Sequence, residues 1–308
     1  MVSPVRGDRS GFSLAELVVV MALAGLVGSV IAITLIRQQR FYHDSAELHY
    51  VRENVRDAME VLSTDIRGMS VLDTVRLRAD SAIEFLANIG SSVVCQINGN
   101  EIGLPSAHSS ANSLSAFLVA PDTGDLAVFY GPSESEGAEW ERHAVMGFVS
   151  RPLASSCPTS TGMSQQAEID AAGTGFVVTI APPLGPGVKA GSPVRFLRRV
   201  RYSLYRAGDG NWYLGYRRCN AVGVSACDAI QPVSGAYRAH SANPLASGLV
   251  FDYFDASGQR LEPTASSLSL ARVDITARSE SPQQPLAGQQ PKISDSATVS
   301  IAIRNGAR

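Results

Sequence analysis

The chain has 308 residues, of which 45% are hydrophobic, and this is enough apolar material for one large folded domain or two small ones. Its formal net charge is -2, which argues against a surface built generally for nucleic acid. Composition therefore excludes a disordered chain and a broadly basic nucleic-acid binder.

The N-terminal region contains one segment that is long and apolar enough to cross a bilayer. Residues 17–36 include no ionisable side chain, and a helix of this length rises about 30 Å, the thickness of the hydrocarbon layer. Residues 1–11 form a short polar stretch that carries Arg6 and Arg9 and, unlike a conventional secretory leader, has no apolar core. We predict a membrane-spanning helix that follows a short leader.

Glu16 is the one carboxylate within the apolar stretch that begins at Phe12. A charge in the hydrocarbon layer costs about 3 kcal/mol unless it is paired or solvated. One interpretation places Glu16 close enough to the headgroups to stay solvated. The other requires a cationic partner, and cleavage after Gly11 would create one as a new amino group at Phe12, one helical turn away.

The run Gly-Phe-Ser-Leu-Ala-Glu-Leu, from Gly11 to Leu17, resembles the processing motif of type IV prepilins and type II secretion pseudopilins. It combines a basic leader, glycine before the cut, phenylalanine after it, glutamate at the fifth mature position and an unbroken apolar run. The resemblance implies that a prepilin peptidase cuts between Gly11 and Phe12 and methylates the new N-terminus at Phe12. It also implies that Glu16 acts in subunit assembly.

The first helix is predicted to continue beyond the membrane as an amphipathic half, residues 37–70. Seven apolar residues recur there at three- and four-residue spacing, which places them on one helical stripe, and Gly68 is of the type that commonly ends a helix. The stripe consists of Leu48, Val51, Val55, Met59, Leu62, Ile66 and Met69. We predict one helix from about Phe12 to Arg67 whose second half packs against a sheet. This half also resembles the first helix of PilW-like minor pilins and J-type pseudopilins.

Residues 71–308 have the pattern of a β-rich head, in which short apolar runs alternate with Gly, Pro, Ser and Asn. The clearest hairpin extends from Arg199 to Arg217, with its turn at residues 208–210. Residues 153–174 and 281–291 are rich in small and polar types and are predicted to be surface loops. The predicted strands are 82–86, 115–118, 126–130, 175–180, 199–205, 212–216, 248–254, 272–277 and 297–303.

Four cysteines, Cys95, Cys157, Cys219 and Cys227, form an even set, which in an exported chain favours disulfides. Cys219 and Cys227 are close enough in sequence to close a short loop. Zinc would require close ligand pairs such as C-x-x-C, or cysteines grouped with histidines, and neither spacing occurs. We therefore rank disulfides first, free buried thiols second and a metal site last, with no cofactor expected.

No enzyme motif stands out in the sequence, because a G-x-S-x-G elbow and a G-x-x-x-x-G-K-[ST] phosphate loop are both missing. One cluster supports a minority hypothesis of DNA contact. Arginines interleave with tyrosines on the predicted hairpin, a combination that binds nucleic acid in other proteins. The candidate contacts are Arg199, Arg201, Arg217 and Arg218; the alternative is that they are solvated or cover an edge strand.

These observations predict an α+β, pilin-like fold in which a long N-terminal membrane-spanning helix packs against an antiparallel β-sheet head with extra strands and loops. The expected divisions are a cleaved leader at 1–11, a transmembrane half at 12–36, an amphipathic half at 37–70 and a head at 71–308. The expected function is that of a minor pilin-like structural subunit, and the expected localisation is the inner membrane, with a cytoplasmic N-terminus and a periplasmic head. Expected partners are a prepilin peptidase, other pilins or pseudopilins, the assembly platform and membrane lipid. Alternatives are a J-like minor pseudopilin, an adhesin or DNA-binding module, and a membrane-anchored enzyme.

Overall fold

The structure is a computed structural model that describes residues 13–69, 77–107, 114–133, 137–223, 226–262, 270–281 and 292–303. Contacts divide the chain into two compact units, Met1–Tyr50 and Val51–Arg308. The predicted leader, residues 1–11, and Phe12 lie outside the described residues, as does most of the predicted loop at 281–291. Within the described part the chain is α+β, with one long helix and a large antiparallel sheet.

Helix α1 comprises Leu14–Arg67. The sequence favours a helix because it is rich in Leu, Ala, Met, Glu and Arg and has no proline between these two residues. The helix ends where the N–H of Gly68 donates to the carbonyl of Thr64 at 3.2 Å and the N–H of Met69 donates to that of Ile66 at 3.1 Å. The predicted end at Arg67 is confirmed, and the predicted start at Phe12 lies outside the described residues.

The strands of the second unit join in one sheet, and every strand pairing is antiparallel in the part of the chain that the structure describes. Each of the nine predicted strands overlaps one of them. The strands are β1 (Leu77–Arg78), β2 (Ala82–Val93), β3 (Gln96–Asn98), β4 (Glu101–Leu104), β5 (Ala116–Phe117), β6 (Leu126–Ser133), β7 (Gly137–Pro152), β8 (Thr174–Ala181), β9 (Pro193–Arg206), β10 (Trp212–Cys219), β11 (Gln231–Tyr237), β12 (Leu249–Phe254), β13 (Arg272–Glu280) and β14 (Ser294–Ala302).

Strand β9 organises the sheet because it has different neighbours along its length. One edge pairs with β2 from Ala82 to Val93, while the other edge pairs first with β6 and then with β10. The main strand order is β12-β13-β11-β10-β9-β6-β7-β8-β4-β3, with β14 on the other edge of β13. The sheet therefore branches at β9 into a portion that continues through β10 and a portion that continues through β6.

The two portions of the sheet have separate apolar cores. The first core contains α1 residues Val55, Ala58, Leu62 and Ile66 together with buried residues of β2, β9, β10, β12 and β13. The second core contains residues of β4, β6, β7, β8 and the first part of β9, and three rings, Phe117, Phe148 and Phe176, pack against it. Alternate β9 residues on one face, such as Phe196 and Val200, reach one core each.

Most of the predicted surface loop at residues 153–174 lies at the surface, but the segment also contains short helical turns that were not predicted. The segment forms α2 (Leu153–Ser156), a 3-10 turn (Thr159–Thr161) and α3 (Gln166–Asp170). Leu153 and Cys157 are buried and form a small cluster with Cys95. Composition predicted the exposure of this segment but not its attachment to the head, which the Cys95–Cys157 disulfide and the buried Leu153 provide.

Candidate functional site

The start of α1 carries a reciprocal pair of hydrogen bonds between Ser13 and Glu16. The N–H of Glu16 donates to Ser13 Oγ at 3.2 Å, and the N–H of Ser13 donates to Glu16 Oε2 at 3.4 Å. This is the geometry of a capping box, in which two otherwise unpaired N–H groups at a helix start are satisfied by side chains. The spacing S-x-x-E from Ser13 to Glu16 is the sequence signal for it, and the sequence interpretation of Glu16 overlooked that signal.

The capping box changes how the charge of Glu16 is accommodated. Its carboxylate accepts a hydrogen bond from the chain itself and lies in the first turn of the helix, where the helix dipole favours a negative charge. An isolated chain therefore has a local partner for Glu16. The predicted amino group at Phe12 lies outside the described residues, so a pairing between the two groups stays a prediction.

Helix α1 is exposed and apolar over the predicted span, residues 17–36. The described part of the chain contains one helix that is long and apolar enough to cross a membrane, and it lies near the N-terminus. The hydroxyls of Ser29 and Thr34 donate to the carbonyls of Leu26 and Val30, both at 2.8 Å. These bonds satisfy the polar side chains internally, as a hydrocarbon environment requires.

The later part of α1 is attached to the sheet by apolar packing and by two tyrosines. Leu62 and Ile66 are fully buried in the first core. Tyr202 Oη donates to the carboxylate of Asp65 at 2.5 Å, and Tyr237 Oη donates to the carbonyl of Asn54 at 2.6 Å. The sequence predicted the apolar stripe, but not the two tyrosines, because their partners are more than 100 residues away in the chain.

Burial raises the pKa of Asp65, and the hydrogen bond from Tyr202 opposes that rise. A raised pKa means that Asp65 contributes stability that is fully present below about pH 4, the unfolded value, and is lost as pH rises through the folded value. We expect the free energy of unfolding of the natural chain, minus that of Asp65→Asn, to fall as pH rises from about 4 toward 7. Urea unfolding in mild detergent at several pH values measures this difference.

Tyr202→Phe is the companion variant for that experiment. It removes the hydrogen-bond donor that lowers the pKa of Asp65. In this variant the stability contributed by Asp65 should therefore be lost at higher pH than in the natural chain. A pH-independent difference between the natural chain and Asp65→Asn would contradict a pKa of Asp65 that burial raises.

The arginines predicted as DNA contacts do not form one surface. Residues that pair directly or alternate along a strand share a face, which places Arg199, Arg201 and Arg217 on one face of β9 and β10 and Arg218 on the other. Glu84 Oε2 accepts from Arg201, and the Arg199 guanidinium lies 3.8 Å from Glu84 Oε1. The Glu84 carboxylate thus lies against two of the arginines, Arg199 and Arg201, that DNA phosphates would have to bind. This arrangement gives the DNA hypothesis no support.

Arg218 belongs to an ionic cluster between the two cores. Asp125 is completely buried and accepts three hydrogen bonds from Arg198. Nε of Arg198 donates to Oδ1 at 3.0 Å and to Oδ2 at 3.2 Å, and Nη2 donates to Oδ2 at 2.7 Å. Arg198 also donates to the carbonyl of Ala120 at 3.1 Å, while Arg218 contacts both Asp125, at 3.5 Å, and Asp122, at 2.9 Å. Within the cluster, Arg198 lies between Phe196 and Val200 on the face of β9 that contributes one residue to each core.

The four cysteines form two disulfides, Cys95–Cys157 and Cys219–Cys227. The first joins the segment after β2 to the segment after α2, and the second closes the short loop after β10. Glu84 Oε and the sulfurs of the second disulfide lie within 4.8 Å of one another. Because those sulfurs are bonded to each other, they offer no thiolate to a metal ion.

The two disulfides should differ in their effect on stability because they close loops of different length, with sequence separations of 62 and 8 residues. The chain-entropy relation gives about 4 kcal/mol for the longer loop and about 2.5 kcal/mol for the shorter one. We expect Cys95→Ser/Cys157→Ser to lower the free energy of unfolding more than Cys219→Ser/Cys227→Ser. Denaturant unfolding of both variants measures the order, and the reverse order would contradict it.

The described residues define a class of protein by architecture. It is a chain with one apolar N-terminal helix long enough to cross a membrane, whose later residues pack on a large antiparallel sheet. No protein-family model, no curated protein and no solved structure matches this chain. The architecture is compatible with a pilin-like layout.

Proposed function

We propose that this chain is a minor pilin-like structural subunit, processed by a prepilin peptidase and incorporated into a type IV pilus, where it acts in assembly or priming. Its partners are then the peptidase, other major and minor pilins and the inner-membrane assembly platform. The chain is anchored in the inner membrane by its first helix, with a cytoplasmic N-terminus and a periplasmic head. It acts by packing, not by catalysis.

One observation carries the proposal: helix α1 begins with the Ser13–Glu16 capping box, continues as an exposed apolar span and then packs on an antiparallel sheet. An acid at the start of a membrane-spanning helix points to a function even where, as here, the chain itself supplies one hydrogen bond to the carboxylate. In an assembled filament, the Glu16 carboxylate would exchange its hydrogen bond with the N–H of Ser13 for an ion pair with a cationic group of a neighbouring subunit. Only a correctly docked subunit would form this ion pair. The resemblance of residues 11–17 to the prepilin motif supports the same function.

The processing step is tested by the intact mass and N-terminal residue of the chain extracted from membranes that contain an active prepilin peptidase. We expect a chain that begins at Phe12 and carries one methyl group on its amino nitrogen. Gly11→Val should retain residues 1–11, whereas Gly7→Ala, a glycine substitution elsewhere in the leader, should be processed normally. A natural chain that keeps its leader would overturn the proposal and leave an ordinary membrane anchor.

The assembly step is tested separately with Glu16→Gln, which keeps the shape of the side chain and removes its charge. We expect this variant to be processed and to remain in the membrane, but to be strongly depleted from sheared filaments. Glu53→Gln is the matched control, because Glu53 is an exposed acid of the same helix beyond the apolar span. Equal recovery of both variants in filaments would sink the role assigned to Glu16.

A J-like minor pseudopilin of a type II secretion system is the second candidate, and the same helix and processing motif support it equally. A minor pilin and a minor pseudopilin belong to different assemblies, a pilus and a secretion system. Deletion of a minor pilin should reduce surface pili, whereas deletion of a pseudopilin should leave pili intact and trap secreted proteins in the periplasm.

A further inference from the structure

We propose that Arg37, Arg40, Phe41 and Tyr42 form an interfacial anchor that binds the phosphate headgroups of anionic phospholipid and sets the depth of α1 in the bilayer. The proposal deepens the proposed function, since it rests on the membrane placement of residues 17–36. It does not depend on cleavage of the leader.

The position of the four residues matches the headgroup layer. They follow directly after Ile36, the last residue of the apolar segment. From Arg37 to Tyr42 the helix rises about 7.5 Å, and each headgroup layer is about 5–8 Å thick. When residues 17–36 fill the hydrocarbon, these side chains therefore lie at the level of the lipid phosphates.

Phe41 and Tyr42 are large aromatic side chains that are exposed in the first unit. They are 68% and 71% exposed, and their rings meet edge to face with centroids 6.1 Å apart. Helical side chains tilt toward the N-terminus, which directs these rings back toward the apolar segment. Aromatic side chains, tyrosine above all, favour the boundary between lipid and water because one end is apolar and the other polar.

The two arginines supply the charge for a lipid phosphate. Arg37 and Arg40 lie one turn apart on the helix, and Phe41 lies one turn beyond Arg37. Neither arginine has a carboxylate within 4.0 Å among the described residues. The next acids along the helix, Asp44 and Glu47, lie beside His43 instead, with carboxylate oxygens 3.9 and 3.7 Å from its Nδ1. Arginine binds phosphate through paired N–H donors, so an anionic headgroup complements this face.

A second copy of the chain fits this face less well than lipid does. Copies held at one depth by the same apolar segment would bring Arg37 and Arg40 against the same two arginines. Like charges repel most strongly where the local dielectric constant is low, near the hydrocarbon boundary. Anionic lipid has the opposite charge and lies at this depth already.

The test uses the full chain in vesicles and introduces a fluorescent probe by Tyr42→Trp. The chain with both natural tryptophans, Trp140 and Trp212, supplies the background to subtract. Quenching is compared in two mixtures of equal composition, one with brominated phosphatidylglycerol and one with brominated phosphatidylcholine. We expect the anionic lipid to quench the probe at least about five-fold more effectively, since each basic residue near a surface contributes about that factor.

Two controls locate the effect. Arg37→Gln/Arg40→Gln should abolish the preference for phosphatidylglycerol, while Arg56→Gln/Arg67→Gln, which removes the same charge further along the helix, should preserve it. Tyr50→Trp places the probe about 12 Å further along the helix and should be quenched weakly by either lipid.

Equal quenching by the two lipids in the natural background would overturn the anchor. So would a probe at residue 42 that neither lipid quenches, because another copy of the chain or water, and not lipid, would then surround the helix at this depth. Failure of processing is separately visible as a retained leader in the mass spectrum, and it leaves the lipid preference at residue 42 unchanged.

Discussion

Asp125→Ala is expected to lower the free energy of unfolding of the head by about 3–5 kcal/mol, because it leaves the Arg198 guanidinium buried without its counter-charge. Asp125 is 0% exposed, accepts three hydrogen bonds from Arg198 and has a contact with Arg218. Arginine cannot escape the penalty by losing its proton, since its pKa lies far above neutral pH. Urea unfolding in mild detergent, followed by the circular dichroism of the sheet, measures the loss.

Two further variants make the Asp125 result specific. Asp122→Ala removes a partner of Arg218 whose own carboxylate side chain, that of Asp122, is 64% exposed. This change should lower the free energy of unfolding by less than about 1 kcal/mol. Asp125→Leu/Arg198→Met replaces the buried pair with apolar side chains and should recover much of the stability lost in Asp125→Ala. If Asp125→Ala cost no more than Asp122→Ala, the buried pair would contribute no more to the stability of the head than the exposed one.

Leu62→Ala is expected to lower the free energy of unfolding by about 2–5 kcal/mol, the range observed when a buried leucine is truncated and its cavity stays partly open. Leu62 is fully buried in the first core with Ile66 of the same helix and Phe85 and Phe251 of the sheet. The loss falls on the contact that holds the later part of α1 against the sheet. The same unfolding measurement detects it.

Glu60→Ala is the matched control, because Glu60 is an exposed residue of the same helical segment. Alanine is a better helix former than glutamate, so this change should alter stability by no more than about 0.5 kcal/mol. A cost for Leu62→Ala that is as small as the control value would mean that the sheet retains its stability without the helix.

The first helix was predictable because its signals are local. A run of apolar residues, a three- and four-residue stripe and a glycine after Arg67 act through neighbouring positions in the chain. The Ser13–Glu16 capping box belongs to the same class of signal, although the charge of Glu16 drew attention to a distant partner instead. The helix was therefore specified by its own sequence, apart from Phe12 and the leader, which lie outside the described residues.

Strands with clear alternation were also predictable, and strands without it were not. The hairpin of β9 and β10 alternates polar and apolar side chains around a glycine-rich turn. Strands β7 and β11 were missed because register shifts interrupt the pairing with their neighbours, β8 and β10. The shifts occur at Val145/Gly147 for β7 and opposite Trp212/Tyr213 and Leu214/Gly215 for β11. A bulge moves the following side chains to the other face, which removes the two-residue period.

The sequence by itself determined an apolar helix of membrane-spanning length, its amphipathic continuation and an antiparallel head. Tertiary structure decided which carboxylate neutralises each arginine, which cysteines are joined and where the two cores meet. Arg198 and Arg199 are adjacent in the chain, yet β9 directs them to opposite faces, to Asp125 and to Glu84. Such contacts join residues 73 and more positions apart, and only the pairing of distant strands brings those residues within reach of one another.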